Sequence, residues 1–338
     1  MARTRAWAAT TRGGKLKAFE FDPGPLGEEE VEIAIEWCGI CHSDISMIEN
    51  DWASSSYPLV PGHEAVGRIL SIGGKVKGLT KGQRVGVGWN AGSCMYCRAC
   101  LSGDQHLCPR IQPTIVGHHG GFAERMRAHW AWAIPIPEAL DASAVGPLLC
   151  GGITVFSPIL SLGIKPTQRV GVVGIGGLGH LALKFLNAWG CEVTAFTSSA
   201  SKRDDALAMG AHHVISSKDP AAMRRIAGSL DLVLYTLNVP VDWDALFATL
   251  APKGRLHVVG AVLDPIPVNA AVLIGGDQGV SGSPTGPRSQ IDTMLEFAAR
   301  HNILPTVEHF PMSRVNDALE HLRGGRARYR LVLDADFD

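Results

Sequence analysis

The chain has 338 residues, and a typical domain size of about 150 residues predicts roughly two domains. Hydrophobic residues account for 46% of the sequence, close to the roughly 45–50% of globular proteins, which excludes a largely disordered chain. The 31 Lys and Arg residues nearly balance the 32 Asp and Glu residues, and the net charge of −1 argues against a general binder of nucleic acid or anionic membranes.

The sequence carries no signal for export or membrane insertion. Met1–Glu20 lacks an apolar core of signal-peptide length. No uncharged apolar stretch reaches about 18 residues. We therefore expect a soluble, cytoplasmic protein. In such a chain the eight cysteines indicate metal ligands or reactive thiols rather than a disulfide framework.

The first third of the chain predicts irregular β structure with long loops. Val31–Trp37 alternates polar and apolar side chains, as a half-buried strand does. Gly67–Ile72 and Arg84–Val87 are further short apolar runs, and Gly, Pro and Lys separate them.

From Gly151 onward, patterns typical of strands and helices alternate. This alternation predicts a parallel sheet flanked by helices. The predicted strands are Val170–Val173, Val193–Phe196, Leu230–Leu234 and Leu256–Val259. The predicted helices are Leu178–Trp189, Arg203–Met209, Asp242–Leu250, Ser289–Arg300 and Ser313–Leu322.

Four cysteines fall within one short segment. Cys94, Cys97, Cys100 and Cys108 have the spacing C-x2-C-x2-C-x7-C. Four thiolates this close can surround one tetrahedral Zn2+ and fill every coordination position, which predicts a structural zinc. An iron–sulfur cluster would use a similar run, although ferredoxin spacings differ. Unrelated core cysteines are not normally clustered in this way.

Three further potential ligands, Cys41, His63 and Cys150, are spread over the sequence. Two thiolates and one imidazole leave a fourth zinc position for water or substrate, which is the arrangement of a catalytic zinc. Spacing alone does not bring the three residues together. Cys38 and Cys41 also form a C-x2-C pair, which a redox site would use.

The segment Gly174-Ile175-Gly176-Gly177-Leu178-Gly179 is a G-x-G-x-x-G motif. It follows the first predicted strand of the alternating region and opens the helix after it. In that context the glycines permit a tight turn, and the helix N-terminus receives a pyrophosphate. The motif therefore predicts a dinucleotide cofactor.

The cofactor preference is indicated by the end of the next predicted strand, about 20 residues later, where an NAD site normally has Asp or Glu. Here the residues are hydroxyls and cations instead of an acid, which favours NADP(H) through charge-assisted hydrogen bonds to its 2′-phosphate. An alternative is that Ser201 with Asp204 only caps the following helix. The candidate contacts are Thr197, Ser198, Ser199, Lys202 and Arg203.

Together these motifs resemble the zinc-dependent medium-chain alcohol dehydrogenases, especially the cinnamyl-alcohol-dehydrogenase-like branch with its bacterial aldehyde reductases. The similarity covers nearly the whole chain and includes Gly62-His63-Glu64-x2-Gly67-x5-Gly73-x2-Val76. The resemblance implies an α/β protein with two domains. Residues 1–150 and 289–338 would form a GroES-like, β-rich catalytic domain. Residues 151–288 would form a Rossmann domain with a doubly wound parallel sheet that binds NADP(H), and the active site would lie in the cleft.

The resemblance also implies roles around the metal. Cys41, His63 and Cys150 correspond to the ligands of the catalytic zinc. Glu64 corresponds to a residue that can approach that zinc or exchange onto it. Asp44 corresponds to the carboxylate that orients His63 and fixes its tautomer. Together with the four-cysteine segment, this implies one catalytic and one structural Zn2+.

Three residues are implied at the substrate and the cofactor. Ser43 corresponds to a hydroxyl that hydrogen-bonds the substrate oxygen, whereas His42 and Thr154 correspond to contacts of the cofactor. The sequence departs from the family pattern at Ser46, where many members have a histidine that passes the proton to solvent. Serine does not titrate near neutral pH, so water through Ser46, or His42, would have to replace that step.

Substrate and assembly are only weakly marked. Trp52 and Trp89 would form the wall of an apolar pocket for aromatic or medium-chain aldehydes, although tryptophans equally serve packing. The apolar segment Pro265–Val280 would be an exposed sheet edge that pairs with a second copy, as the resemblance implies, or an interior strand. We expect a homodimer.

The resulting hypothesis is reversible hydride transfer between NADP(H) and primary alcohols or aldehydes. Zinc would polarise the substrate oxygen, and Ser43 would relay the proton. Alternatives are a zinc-free oxidoreductase resembling quinone reductases and a non-enzymatic NADPH-binding redox sensor. The open ligand set of Cys41, His63 and Cys150 argues against both.

Overall fold

The computed structural model describes residues 3–337 and divides into two compact units. The first unit is Met1–Ile153 with Gly286–Asp338, and the second is Thr154–Thr285. Each of these boundaries lies three residues inside the segment predicted for the second domain, 151–288. The first boundary falls within the helix Gly151–Ser161.

The first unit begins with nine strands and three short helices. The strands are β1 (Thr4–Ala8), β2 (Lys17–Phe21), β3 (Glu30–Ile40), β4 (Ala65–Ile72), β5 (Arg84–Val87), β6 (Asn90–Gly92), β7 (Gln112–Pro113), β8 (Arg125–His129) and β9 (Ile134–Pro135). The helices are α1 (His42–Glu49), α2 (Arg98–Leu101) and α3 (Ala142–Val145).

The second unit alternates strands and helices after α4 (Gly151–Ser161). The elements are β10 (Arg169–Val173), α5 (Gly179–Trp189), β11 (Glu192–Thr197), α6 (Arg203–Ala208), β12 (His213–Ser216), α7 (Pro220–Arg225), β13 (Leu230–Tyr235), α8 (Trp243–Phe247), β14 (Leu250–Val258), α9 (Ala270–Gly276) and β15 (Gly279–Gly282).

The C-terminal segment returns to the first unit. It contributes α10 (Arg288–His301), β16 (Val307–Pro311), α11 (Val315–Arg323) and β17 (Arg330–Asp334). Short 3-10 helices complete the described elements at Gln105–Leu107, Trp130–Trp132, Gly146–Leu149, Ala200–Lys202 and Met312–Arg314.

The main sheet of the first unit is organised around β3. Its strand order is β16-β17-β3-β4-β5-β9, and β8 also pairs with β3. Along β3, burial alternates from Val31 to Ile35, as its polar–apolar pattern predicts, because successive side chains point to opposite faces. The last three residues, Cys38–Ile40, are all buried. The central strand therefore ends inside the unit, immediately before Cys41.

The second unit contains a fully parallel sheet with the order β12-β11-β10-β13-β14-β15. Written by position of the strands in this unit, that order is 3-2-1-4-5-6, the order of doubly wound dinucleotide-binding folds. Ligands of such sheets bind outside the carboxyl ends of the strands, where the order reverses. Here the reversal falls at β10, which leads directly into the glycine motif.

Most predicted elements are present, but their lengths differ. Strand β14 begins six residues before the predicted start, and α8 is shorter than the predicted Asp242–Leu250. The segment Pro265–Val280 is neither one edge strand nor an interior strand, because it contains α9 and only the start of β15. No residue of α9 is buried, so hydrophobicity there does not mark core.

Within the described part of the chain, no single helix is long and apolar enough to span a membrane. By length and composition, only the pair Ala142–Leu149 and Gly151–Ser161, bent by 54° relative to each other, would pass such a test together.

We expect His257 to make the stability of the second unit sensitive to acid. The side chain is 2% exposed on β14, and its two ring nitrogens hydrogen-bond Ser281 and Ser283, each at 2.9 Å. Burial, followed by the charge of Arg255, lowers the pKa of His257 to about 4. Because an unfolded histidine titrates near 6.5, the unfolded chain gains a proton first. This stability is complete above pH 6.5 and is lost as the pH falls towards 4.

We therefore expect the free energy of unfolding to fall by about 2 kcal/mol between pH 7 and pH 5 through this one group. Urea unfolding of the wild type and of His257→Gln at both pH values measures the effect. The variant is expected to lose that part of the pH dependence, even where its stability at pH 7 is lower. His301→Gln, at an exposed position on α10, is the control. An unchanged pH dependence in His257→Gln would contradict the assignment.

Candidate functional site

The structure brings Cys41, His63, Glu64 and Cys150 together in the first unit. Their potential ligand atoms all lie within 4.8 Å of one another, and His63 Nε2 is 3.3 Å from Cys150 Sγ. For a tetrahedral Zn2+, bond lengths of about 2.0–2.3 Å place a nitrogen and a sulfur ligand about 3.5 Å apart. Two thiols and an imidazole at this spacing fit a zinc ion. Cys38 is not a member of this group.

The Asp44 carboxylate positions the ligand residues through three hydrogen bonds. Its Oδ1 accepts hydrogen bonds from the Gly62 backbone N–H at 2.8 Å and from His63 Nδ1 at 3.0 Å. Its Oδ2 accepts one from the Cys41 backbone N–H at 2.9 Å. Because Asp44 holds Nδ1 of His63 as a donor, Nε2 keeps its lone pair for a metal.

The two thiols of the group differ in their affinity for protons. The hydrogen bond from Cys150 lowers the pKa of the Cys41 thiol well below its usual value, against the effect of burial. The same hydrogen bond, together with burial, raises the pKa of Cys150. Burial lowers the pKa of His63, but the charge of Asp44 and the hydrogen bond to it outweigh burial and raise that pKa. Without a cation, Cys150 and His63 therefore hold their protons, and a divalent metal would displace them, because ligation requires deprotonated thiols and a neutral imidazole.

Glu64 is the fourth member of the group and is paired with Arg330. Both side chains are buried, and Arg330 Nη2 donates to Glu64 Oε1. Arg330 Nη2 also donates to the Ile40 carbonyl oxygen at 3.3 Å. Glu64 Oε2 is buried without a hydrogen-bond partner among the described residues. That unpartnered oxygen fits the implied role of a carboxylate that can approach the metal.

Sequence reasoning missed Arg330. The residue begins β17, ahead of the apolar Leu331–Leu333, and lies 266 positions from Glu64. A charged residue at the start of an otherwise buried strand is the only signal available in the sequence. That signal names no partner. Burial of an unpaired arginine is costly, so a buried Arg330 must have a partner. Which residue that is becomes visible only when the strands are assembled.

Two tryptophans extend from the metal ligands. The Trp89 ring meets His63 edge to face, with ring centroids 4.9 Å apart, and Trp52 meets Trp89 in the same way at 5.9 Å. Both tryptophans are half-buried. The two rings are thus side by side next to the ligand group, and their role as the wall of a substrate pocket stays a prediction.

The residues implied in proton transfer lie at the start of α1. Ser43 is half-buried, and its Oγ is 3.7 Å from Cys41 Sγ. Ser46 is buried one turn later, and His42 is exposed. Thr154 is buried in α4, within the second unit.

The four-cysteine segment forms a second group of ligands. Cys94, Cys97, Cys100 and Cys108 have sulfur atoms within 4.8 Å of one another, with individual separations of 3.5 to 3.9 Å. Disulfide sulfurs would be about 2.05 Å apart. Four sulfurs around Zn2+ at about 2.3 Å have edges of about 3.8 Å. The group therefore fits one fully coordinated, structural zinc.

The glycine motif forms a turn that only glycine allows. Gly174 has a φ of 91°, and a Cβ on Gly179 would lie 1.8 Å from the Gly174 carbonyl oxygen. A Cβ on Gly176 would meet nothing within 4 Å, so there is open space beside that backbone. Leu178 is the N-terminal cap residue of α5. Gly177, the remaining glycine of the turn, immediately precedes this cap residue. The turn therefore fits a pyrophosphate at a helix N-terminus.

The two predicted cations after β11 point in different directions. Lys202 Nζ donates to the Ile175 carbonyl oxygen of the glycine turn at 2.8 Å. Arg203 Nη1 donates instead to the Val214 carbonyl oxygen on β12 at 3.1 Å. Arg203 also lines a cavity of about 470 Å3 with Arg169 and Arg225. The structure therefore brings Lys202, but not Arg203, to the glycine turn.

The hydroxyl residues of the same segment lie at the carboxyl end of β11. Thr197 Oγ1 accepts from the Ser199 backbone N–H at 3.1 Å, and Ser199 Oγ is 2.8 Å from Ser201 Oγ. Ser198 is exposed. The alternative of a cap formed by Ser201 is wrong, because Lys202 is the N-terminal cap residue of α6 and no side chain caps that helix.

Comparison with known proteins identifies the family of the chain. Residues 27–138 match the alcohol dehydrogenase GroES-like domain, and residues 177–300 match the zinc-binding dehydrogenase family. The aldehyde reductase AdhA of Synechocystis sp. is 51% identical over 329 residues, which covers 97% of this chain and 98% of that protein.

Solved structures are similar over the full length. A cinnamyl alcohol dehydrogenase of Sorghum bicolor superimposes with a TM-score of 0.96 at 35% identity and covers 100% of this chain and 99% of its own. The enzyme from Helicobacter pylori, solved with NADP(H), has a TM-score of 0.90 at 30% identity, with 98% of each chain covered.

The chain thus belongs to the zinc-binding dehydrogenases that have an alcohol dehydrogenase GroES-like domain. Within them it is similar to the aldehyde reductase of Synechocystis sp. and to the cinnamyl alcohol dehydrogenases. The resemblance stated from the motifs is confirmed, and so is the fold class of a GroES-like domain with a Rossmann domain.

Asp44→Asn is expected to weaken zinc binding about 10–100-fold. With the asparagine oxygen kept towards His63 and Gly62, its NH2 group faces the Cys41 N–H, so two donors oppose each other. Competition with a chromogenic chelator measures the affinity for zinc. Asp51→Asn, just after the end of α1, is the control, because Asp51 is exposed. Equal zinc retention in Asp44→Asn and in the wild type would show that Asp44 does not support the ligands.

Proposed function

We propose that this chain is an NADP(H)-dependent aldehyde reductase and alcohol dehydrogenase that transfers a hydride reversibly between the cofactor and a primary alcohol or aldehyde. The observation that carries the proposal is the group of Cys41, His63 and Cys150, with ligand atoms within 4.8 Å of one another. Three protein ligands leave a zinc position open for a substrate oxygen. The carboxylate of Glu64 next to them is already paired with Arg330.

The relatives support the reaction class. Their names are aldehyde reductase and cinnamyl alcohol dehydrogenase, and an NADP(H) complex is known for the structural neighbour from Helicobacter pylori. The absence of an acidic residue in Thr197–Arg203 and the position of Lys202 at the glycine turn support NADP(H).

The bound zinc would supply Lewis-acid polarisation of the substrate oxygen and stabilise negative charge on it. Asp44 keeps His63 in the tautomer and orientation that ligation needs. Ser43 would hydrogen-bond the substrate oxygen and transfer its hydroxyl proton there in the reduction direction. The protein contributes position and electrostatic field, whereas the hydride chemistry belongs to the nicotinamide.

The proton that Ser43 gives up has to be replaced from solvent. Ser46 is buried on the same helix three residues later, and residues at that spacing share a helix face. Because serine does not titrate near pH 7, Ser46 can only pass a proton on. We infer that water reaching Ser46, or the exposed His42, completes the transfer.

The substrate pocket would be walled by aromatic rings. Trp89 packs against the metal ligand His63, and Trp52 packs against Trp89. A wall of two indoles beside a polarising metal suits a substrate with an apolar body and one reactive oxygen. We infer aromatic or medium-chain aldehydes as the substrate class.

We infer that the enzyme works in the cytoplasm as a homodimer. No disulfide joins any of the eight cysteines, which suits a reducing compartment. Strand β15 is the edge of its sheet, and the neighbouring α9 exposes apolar side chains, including 82% of Ile274. An edge strand beside an apolar surface is a site for pairing with a second copy.

Replacing Cys41 is expected to remove activity and one of two zinc ions. In Cys41→Ser, metal analysis should give one zinc per chain, the rate of NADPH oxidation with an aldehyde should fall about a thousandfold or more, and the far-ultraviolet circular dichroism should stay unchanged. Cys191→Ser, a buried thiol of the second unit, should retain both metals. Full turnover in zinc-depleted Cys41→Ser would refute the proposal.

The dimer proposal predicts that a charge on α9 dissociates the protein. Ile274→Asp should sediment as a monomer at micromolar concentration, whereas the wild type should have twice the mass of one chain. Leu101→Asp is the control. Leu101 is 76% exposed in the four-cysteine segment, and a charge there should leave the oligomeric state unchanged. A monomeric wild type would refute the dimer without affecting the proposed reaction.

A further inference from the structure

The carboxyl ends of β11 and β12 lie side by side in the second unit. The two strands are parallel, with Thr197 opposite Ser216, and the Ser217 backbone N–H donates to the Thr197 carbonyl oxygen at 3.1 Å. Ser199 and Lys218 therefore each follow the last register pair by two residues. Adjacent strands are about 4.8 Å apart, so the turn after β12 lies beside the segment that would receive the phosphate-bearing ribose.

That segment has less available positive charge than its sequence suggests. Arg203 directs its guanidinium to the Val214 carbonyl oxygen. Lys202 is held at the glycine turn through the Ile175 carbonyl oxygen. A phosphate monoester carries a charge of about −1.5 to −2 at pH 7. One lysine neutralises only part of that charge.

Lys218 is the cation that the fold places at the same edge. Its backbone N–H donates to Ser216 Oγ at 3.3 Å, which ties the residue into the turn after β12. Its side chain is exposed, and its ammonium contacts no acceptor among residues 3–337. The neighbouring Asp219 carboxylate accepts from the Ala221 and Ala222 backbone N–H groups as the cap of α7. These backbone hydrogen bonds orient that carboxylate towards the helix.

We propose that Lys218 is a specificity residue that binds the 2′-phosphate of NADP(H), together with Lys202 and the hydroxyls after β11. The proposal rests on the proposed NADP(H) dependence. The sequence pattern placed every contact of the 2′-phosphate after β11, whereas this proposal adds one contact from the turn after β12. In this role Lys218 replaces Arg203, the next residue after Lys202 in the sequence.

Binding of two nucleotide fragments tests the proposal without turnover. Adenosine 2′,5′-bisphosphate carries the 2′-phosphate, and adenosine 5′-monophosphate lacks it. Calorimetric titration of the zinc-loaded enzyme gives Kd for each fragment. We expect Lys218→Ala to raise Kd for the bisphosphate about tenfold, the effect of one charge-assisted hydrogen bond. The Kd for the monophosphate should not change, and Lys218→Arg should keep most of the affinity.

Two control variants sharpen the comparison. Lys165→Ala removes an exposed lysine of the same unit ahead of the amino end of β10 and should bind both fragments like the wild type. Arg203→Ala should also bind like the wild type. A Lys218→Ala variant that binds the bisphosphate like Lys165→Ala, or that loses affinity for both fragments equally, would overturn the role of Lys218. A wild type that binds both fragments equally well would instead overturn the NADP(H) dependence itself.

Discussion

The three hydrogen bonds accepted by Asp44 are the interaction on which the candidate active site depends. One carboxylate holds the Cys41 backbone, the Gly62 backbone and the His63 ring. These groups come from the start of a helix and from the loop before β4. A buried carboxylate is costly unless donors surround it, and here each donor belongs to a metal ligand or its neighbour. The interaction that satisfies Asp44 therefore also sets the geometry of the metal site.

A bound metal would explain why so many ionisable groups are buried together. Two thiols, an imidazole, two carboxylates and a guanidinium lie within one small volume of the first unit. Without a cation they would compete for protons, as the opposite shifts of the pKa values of Cys41 and Cys150 indicate. A divalent ion would bind the thiolates, and Arg330 pairs with Glu64. The cluster is thus favourable as a whole, although each charge by itself would oppose folding.

In the second unit, different groups serve different parts of cofactor binding. Glycine is required where the backbone turns back on itself at Gly174 and Gly179, and Gly176 leaves open space for a phosphate. Charge and hydroxyls lie at the carboxyl ends of β11 and β12, where a parallel sheet presents ligands. Hydrophobic contact holds the sheet itself, with Val233, Tyr235 and Leu256 in its core.

Much of what contiguous residues encode could be predicted from the sequence alone, although the lengths of β14 and α8 and the structure of Pro265–Val280 could not. The four cysteines, the glycine motif and the alternation of strands and helices each follow from local spacing. Family resemblance added Cys41, His63 and Cys150, which spacing could not bring together. Only the tertiary structure decided the pairing of Glu64 with Arg330, because strand assembly joins residues 266 positions apart. It also separated Lys202 from Arg203, since consecutive residues at a helix start point about 100° apart. The fold sets the direction in which each charged side chain points, and the order of charges along the sequence does not contain that direction.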